Sequence, residues 1–345
     1  MTSPAFDQDV PAPLVELLDS QFSRAELARR LGAGVLDIDD SHLKIGLHGP
    51  LREFLSRPSK EFRARLVACS WQIAGGTGAV PQRLASLVEL LHAGSLIVDD
   101  IEDASLERRG RPALHLVHGL PVALNAGNWL YFLAFDLIEQ LGLGPHVELG
   151  LYRWLSRTLA RCHEGQALDL TARMGQLAQR EVSALVDTCT RLKTGALMGL
   201  SAVVPAVAAG APARVVGALH DFGEQLGVGL QMLDDLGGLV NEARCHKGHE
   251  DLMHGRPTWP WAWLASQLGV TDYARLQRLA RQVESRDLHP ELLAKEMRVH
   301  LGAGSSRFAE AHLAAAHERL LEDLPNPHGL QDLARELRRL LGSYV

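Results

Sequence analysis

The chain has 345 residues, 46% of them hydrophobic and 5% aromatic, enough apolar material for a sizeable core. Its 41 acidic side chains outnumber its 35 basic ones, and the net charge of −6 offers no basic field for nucleic acid. Cys69, Cys162, Cys189 and Cys245 lie scattered without paired spacing, which excludes a disulfide framework or zinc site and suits reduced thiols in the cytoplasm.

Met1 to Pro13 carries acids and no apolar run, so no secretory signal is expected there. Residues 1–50 read as a partly helical extension and 51–345 as a single all-α domain, since Leu, Ala and Arg abound and no stretch alternates apolar with polar. From Leu84 the apolar residues recur at Leu87, Val88, Leu91, Leu96 and Ile97, the spacing of an amphipathic helix. Similar patterns predict helices over 125–141, 152–162, 181–202, 213–236, 260–267 and 305–324. Turns are marked by Arg109-Gly110-Arg111-Pro112, Gly142-Leu143-Gly144-Pro145 and Pro325-Asn326-Pro327-His328. The uncharged run Thr194–Ala213 has the length of a membrane span, but its glycines and prolines read as a buried helix followed by a turn.

Two segments carry chemistry. On a helix, His92, Ser95, Asp99 and Asp103 share one stripe, with Asp100 at its edge. Like charges one turn apart weaken a helix by a few tenths of a kcal/mol. A hard cation such as Mg²⁺ offsets that repulsion when a diphosphate completes its shell. Glu107-Arg108-Arg109-Gly110-Arg111 follows at once, and arginine forks match phosphate oxygens. A solvated acidic helix end is the plainer alternative. Further on, Gln231, Asp234 and Asp235 fall within one turn, followed by Gly237-Gly238 and then the basic loop His246-Lys247-Gly248 to Arg256. The glycines upstream, Gly223, Gly227 and Gly229, predict close approach by a helix or a ligand. Two acid-then-base modules in one helical chain are hard to obtain by chance.

These motifs resemble those of the trans-isoprenyl diphosphate synthases, closest to the geranylgeranyl diphosphate synthases of animals and fungi. The resemblance rests on Asp99-Asp100-Ile101-Glu102-Asp103, Leu124 to Phe132, Gly165-Gln166 with Asp169, Lys193-Thr194-Gly195, Gln231 with Asp234-Asp235, and Glu250-Asp251-Leu252 with Gly255-Arg256. Ser59-Lys60-Glu61-Phe62-Arg63 is similar to a further element upstream, with serine for the usual glycine. It implies a single-domain antiparallel helical bundle around a deep central cavity, usually as a homodimer. It also implies Mg²⁺, three ions per active site with Mn²⁺ able to substitute, on Asp99, Asp100, Asp103, Asp234 and Asp235. Lys60, Arg63, His92 and Arg109 would hold isopentenyl diphosphate. Arg108, Lys193, Thr194, Gln231, Lys247 and Arg256 would hold the allylic diphosphate, with Gln166 and Asp169 as further polar groups of the cavity. The third aspartate of the second motif is absent, Gly238 standing in its place.

Product length depends on how deep the apolar cavity below the first aspartates runs. Shorter-chain members of the family that the chain resembles carry bulky aromatics one turn before these aspartates, where Gly94 and Ser95 stand here. By similarity with the twenty-carbon synthases Tyr131 and Phe132 are candidates for the floor, ordinary core aromatics being the alternative, and the resemblance implies geranylgeranyl diphosphate. Farnesyl or longer products, a class I terpene cyclase, a non-catalytic partner subunit and a helical binding protein for anionic lipids are the alternatives. No integral membrane segment is expected.

Overall fold

The computed structural model describes residues 14–32, 40–58, 62–241, 244–324 and 329–342. Met1 to Pro13, Lys60 and the Pro325–His328 turn lie outside the described residues. Contacts gather the chain into two compact units, one of residues 1–71 and 76–152, the other of 72–75 and 153–345.

The first unit begins with α1 (Leu14–Gln21), α2 (Arg24–Leu31), α3 (Ser41–Leu43) and α4 (Gly49–Leu55). It continues with α5 (Phe62–Ile73), α6 (Gln82–Glu102), α7 (Leu114–His118) and α8 (Leu120–Glu139). α6 and α8 pack along their length. Gly94 makes that possible: a Cβ there would stand 2.8 Å from the Gly127 carbonyl oxygen and 3.2 Å from the Tyr131 ring. Gly94 therefore lies in the seam between α6 and α8, with the Tyr131 ring beside it. Phe132 departs from its predicted place, being 71% exposed on the outer side of α8.

One element escaped the helical reading. Glu107–Arg108 (β1) and Arg111–Pro112 (β2) pair antiparallel through a two-residue turn. Arg109 and Gly110 both take positive φ there, 55° and 76°, the turn whose twist suits a tight hairpin.

The second unit receives α9 (Pro145–Thr171) from residue 153 onward. It holds α10 (Gln179–Thr190), α11 (Ala196–Ala208), α12 (Ala213–Val240) and α13 (Cys245–Met253), then α14 (Trp259–Gln267), α15 (Val270–Glu284), α16 (Pro290–Asp323) and α17 (Leu330–Leu341). The helix predicted over 181–202 is broken in fact by a π-helical turn, Arg191–Gly195, between α10 and α11. The uncharged run after it forms α11, almost wholly buried, and no described helix is long and apolar enough to cross a membrane. Trp261 and Tyr273 meet edge to face at 6.2 Å in the core with Met232, Leu276 and Met297. The glycines of α12 serve helix contact: a Cβ on Gly227 would lie 2.8 Å from the Cα of Gly195.

Candidate active site

The first acidic face ends α6. Asp99 and Asp103 are partly exposed one turn apart, and Asp103 caps the helix by donating its N–H to the Asp99 carbonyl at 2.8 Å. Asp100 turns inward instead. Its Oδ1 accepts from Arg108 Nε at 2.8 Å and also from that guanidinium's Nη2. Burial raises the Asp100 carboxyl despite Arg108, and its Oδ2 is buried with no hydrogen-bond partner among the described residues. Asp99 and Asp103 leave two partly exposed carboxylates at the helix end, oxygen donors of the kind a hard divalent ion takes.

The hairpin aims the arginines, and Arg57 aims the hairpin. Its buried guanidinium donates to the carbonyls of Arg108 and Pro112, each at 2.9 Å, while Glu53 accepts from it at 2.9 Å. Replacing Arg57 with methionine keeps the apolar stem and leaves both carbonyls and Glu53 short of a donor. We expect a loss of about 2 kcal/mol in the urea unfolding free energy. His92 is neutral, its imidazole held well below the ordinary range by burial and by the neighbouring Arg63, Arg109 and Arg108. So Arg63 and Arg109 of the predicted isopentenyl set stand around His92, while Lys60 lies outside the described residues. Glu89 went unnoticed in the sequence. It is buried, accepts from the Ala64 N–H at 3.3 Å and offsets the charge of Arg109. Its one signal is a glutamate inside the apolar run Leu87-Val88-Glu89-Leu90-Leu91.

In the second unit the predicted groups form three hydrogen-bonded clusters that adjoin along the chain at Lys193-Thr194 and Asp234-Asp235. Asp169 Oδ2 accepts from Lys193 at 2.8 Å and from Arg256 at 2.6 Å. The π-helical turn carries both Lys193 and Thr194, and Thr194 donates to Gln231 at 3.0 Å. Gln231 donates to Asp235 Oδ1 at 2.7 Å, and the Trp259 N–H donates to Asp235 Oδ2 at 2.9 Å. Asp234 is held by Arg244 on one oxygen and Lys247 on the other. Gln166 is buried on α9 one turn before Asp169. Arg244 and the Trp259 backbone were not foreseen, since neither lies in a motif.

A brace stands behind these clusters. On α15, Gln277 donates to the carbonyls of Met174 and Leu177 at 3.0 and 2.6 Å, and Arg281 to that of Gly175 at 3.2 Å. Glu284 accepts from the Gly175 N–H at 3.0 Å, and Met174 donates to the Gly255 carbonyl at 2.8 Å. The loop after Asp169 and the turn before Arg256 are thereby tied together.

Burial pushes the Asp235 carboxyl up to about 6 and that of Asp251, among Lys247, Asp235, Asp169 and Arg256, to about 8. Both hold a proton when folded at pH values where the unfolded chain has lost it, so stability falls as pH rises. The loss runs from about 4 up through about 6 for Asp235 and about 8 for Asp251. Urea midpoints measured across that range should show the decline, and Asp251→Asn should flatten its upper part.

An all-α chain with two acidic faces, each beside a set of cations, has the makings of a diphosphate-handling protein. Residues 46–293 match the family model described as polyprenyl synthetase, and the chain belongs to that family. It is 30% identical over 215 residues to the geranylgeranyl pyrophosphate synthase of Geoglobus acetivorans, covering 62% of this chain and 66% of that protein. With the geranylgeranyl diphosphate synthase of Sulfolobus acidocaldarius it shares 33% over 187 residues, covering 54% of this chain and 56% of that protein. The matched part thus spans less than two thirds of either relative. The short chain isoprenyl diphosphate synthase of Methanothermobacter thermautotrophicus is 26% identical, with 89% of this chain and 93% of that protein covered. In fold the chain is similar to the polyprenyl synthase of Caulobacter crescentus, solved with calcium and isoprenyl diphosphate. The TM-score there is 0.72 at 22% identity, and 97% of each chain is covered.

Proposed function

We propose that this chain is a divalent-metal-dependent prenyltransferase that condenses isopentenyl diphosphate head to tail with an allylic diphosphate. The observation that carries this reading is the set of clusters in the second unit. Asp169 is joined there to Lys193 and Arg256 by direct hydrogen bonds, and Gln231 to Thr194 and Asp235, with Lys193 and Thr194 adjacent on the π-helical turn. Lys193 and Arg256 would meet the charge that develops on the departing diphosphate, where preorganised cations stabilise a transition state. Arg63 and Arg109, beside a neutral His92, would grip the second diphosphate. Mg²⁺ on Asp99 and Asp103 would supply Lewis-acid stabilisation of the leaving group.

The expected product is geranylgeranyl diphosphate, after the names of the relatives. Ser95 is the position left to test chain length, because phenylalanine at Gly94 would strike the α8 backbone. Ser95→Phe is expected to shift the product toward fifteen carbons or fewer in chromatography of the prenyl alcohols. A homodimer is supported by the apolar outer side of α8, where Leu120, Leu124 and Phe132 are exposed. Four free cysteines support a reducing, cytoplasmic setting.

Purified protein given Mg²⁺, isopentenyl diphosphate and dimethylallyl, geranyl or farnesyl diphosphate should release a longer prenyl diphosphate. A cyclic hydrocarbon would point to a cyclase, and no turnover to a partner subunit; either overturns the proposal.

A further inference from the structure

Gly238 stands where a third acid would extend the second motif, and its surroundings show what it does instead. A Cβ on Gly248 would lie 2.1 Å from the Gly238 carbonyl oxygen, and a Cβ on Gly238 would lie 3.3 Å from the Gly248 backbone. With no side chain at either position, α13 rests directly on α12. That contact sets Lys247, the residue before Gly248, against one oxygen of Asp234, while Arg244 takes the other. Both oxygens of Asp235 are engaged as well, by the Gln231 amide and the Trp259 N–H. A divalent ion at this face needs carboxylate oxygens, and every one of these four already has a fixed donor. The residues present do not fit a metal ion here.

They do fit its task. The guanidinium and the ammonium together bring to Asp234 the two positive charges that a divalent ion would bring. The Lys247 side chain is 46% exposed and that of Arg244 28%, so both heads remain within reach of a ligand.

We propose that Arg244 and Lys247 take the place of a metal ion at the second acidic face. Phosphate oxygens are met there by two fixed cations that Asp234 positions, and the metal ions of the protein rest on Asp99 and Asp103. The proposal rests on the prenyl-transfer reading for its ligand and departs from it in the location of the metal.

The test is a Mn²⁺ titration of the full chain with inorganic pyrophosphate present, with free Mn²⁺ read by electron paramagnetic resonance. Asp234→Asn is expected to bind as many Mn²⁺ ions per chain as the parent. It should bind pyrophosphate at least as tightly, because the amide leaves both cations in place and less neutralised. The double variant Arg244→Gln/Lys247→Gln is expected to keep that Mn²⁺ count and weaken pyrophosphate about tenfold, whereas Asp99→Asn loses Mn²⁺. Loss of one or more Mn²⁺ in Asp234→Asn, with helical circular dichroism intact, would make the second face an ordinary metal site and overturn this proposal alone. So would unchanged pyrophosphate affinity in the double variant. Failure of the parent to bind either probe would bring down the prenyl-transfer reading too.

Discussion

Alanine in place of Asp99 or Asp103 is expected to lower kcat for prenyl transfer about a thousandfold, a barrier increase of about 4 kcal/mol. These two carboxylates finish α6 partly exposed, so their loss would remove the proposed metal ligands without opening the core. The melting temperature should therefore stay close to that of the parent while turnover disappears. Asp100→Ala differs in kind. It frees Arg108 from its buried partner, so it should reduce stability along with activity. Asp235→Ala is expected to leave measurable activity, because the adjoining cations Lys193, Lys247 and Arg256 are held through Asp169 and Asp234. Steady-state kinetics beside thermal melts of the four variants would separate these cases. Equal losses at Asp99 and Asp235 would contradict the unequal roles of the two faces.

Gly248→Ala is expected to be the most damaging single methyl in the second unit. Its Cβ would press on backbone, 2.1 Å from the Gly238 oxygen, and no rotamer can relieve that. Overpacking of a tight contact typically costs about 1–3 kcal/mol, and a backbone-to-backbone clash lies at the upper end. α13 would have to lift from α12, carrying Lys247 off Asp234. Arg256 would shift as well, since its N–H donates to the Asp251 carbonyl on the same helix. Gly217→Ala is the matching control. It too lies inside a helix, but a Cβ there meets nothing within 4 Å, so it should stabilise by up to about 1 kcal/mol. Melting temperatures moving in opposite directions, with loss of activity only in Gly248→Ala, would bear out the contact.

The motifs were legible because their chemistry is local: acids one turn apart and arginines at a turn can be read from spacing alone. The helical character was legible for a similar reason, since periodicity reports which face of a helix is buried. What spacing could not report was the partner each face would meet. Gly94 and Ser95 are equally small and equally near Asp99, yet one lies in the seam against Gly127 and the other lies beside it. Phe132 looked like a floor by its resemblance to the twenty-carbon synthases, and its outward place depends on the rotation of α8 against α6. Asp100 reads as an equal of Asp99 until the hairpin brings Arg108 across to it. The hairpin itself was hidden by its size, two residues per strand being too short to alternate. Arg57 and Arg244 were missed because their roles lie in what they reach across the fold, which no neighbouring residue announces.

The brace on α15 has a bearing on how such a protein could lose its activity. Gln277, Arg281 and Glu284 belong to no motif and need touch no substrate, yet they tether the loop that follows Asp169 and, through Met174, the turn before Arg256. A lesion in α15 would leave every signature residue in the sequence and slacken the grip on the ligand. Judged by its motifs alone, such a chain would pass for a working member of the family. Inactivation here can thus be silent in the signatures, and a survey for decayed copies has to inspect the helix behind the site as well as the acids in front of it.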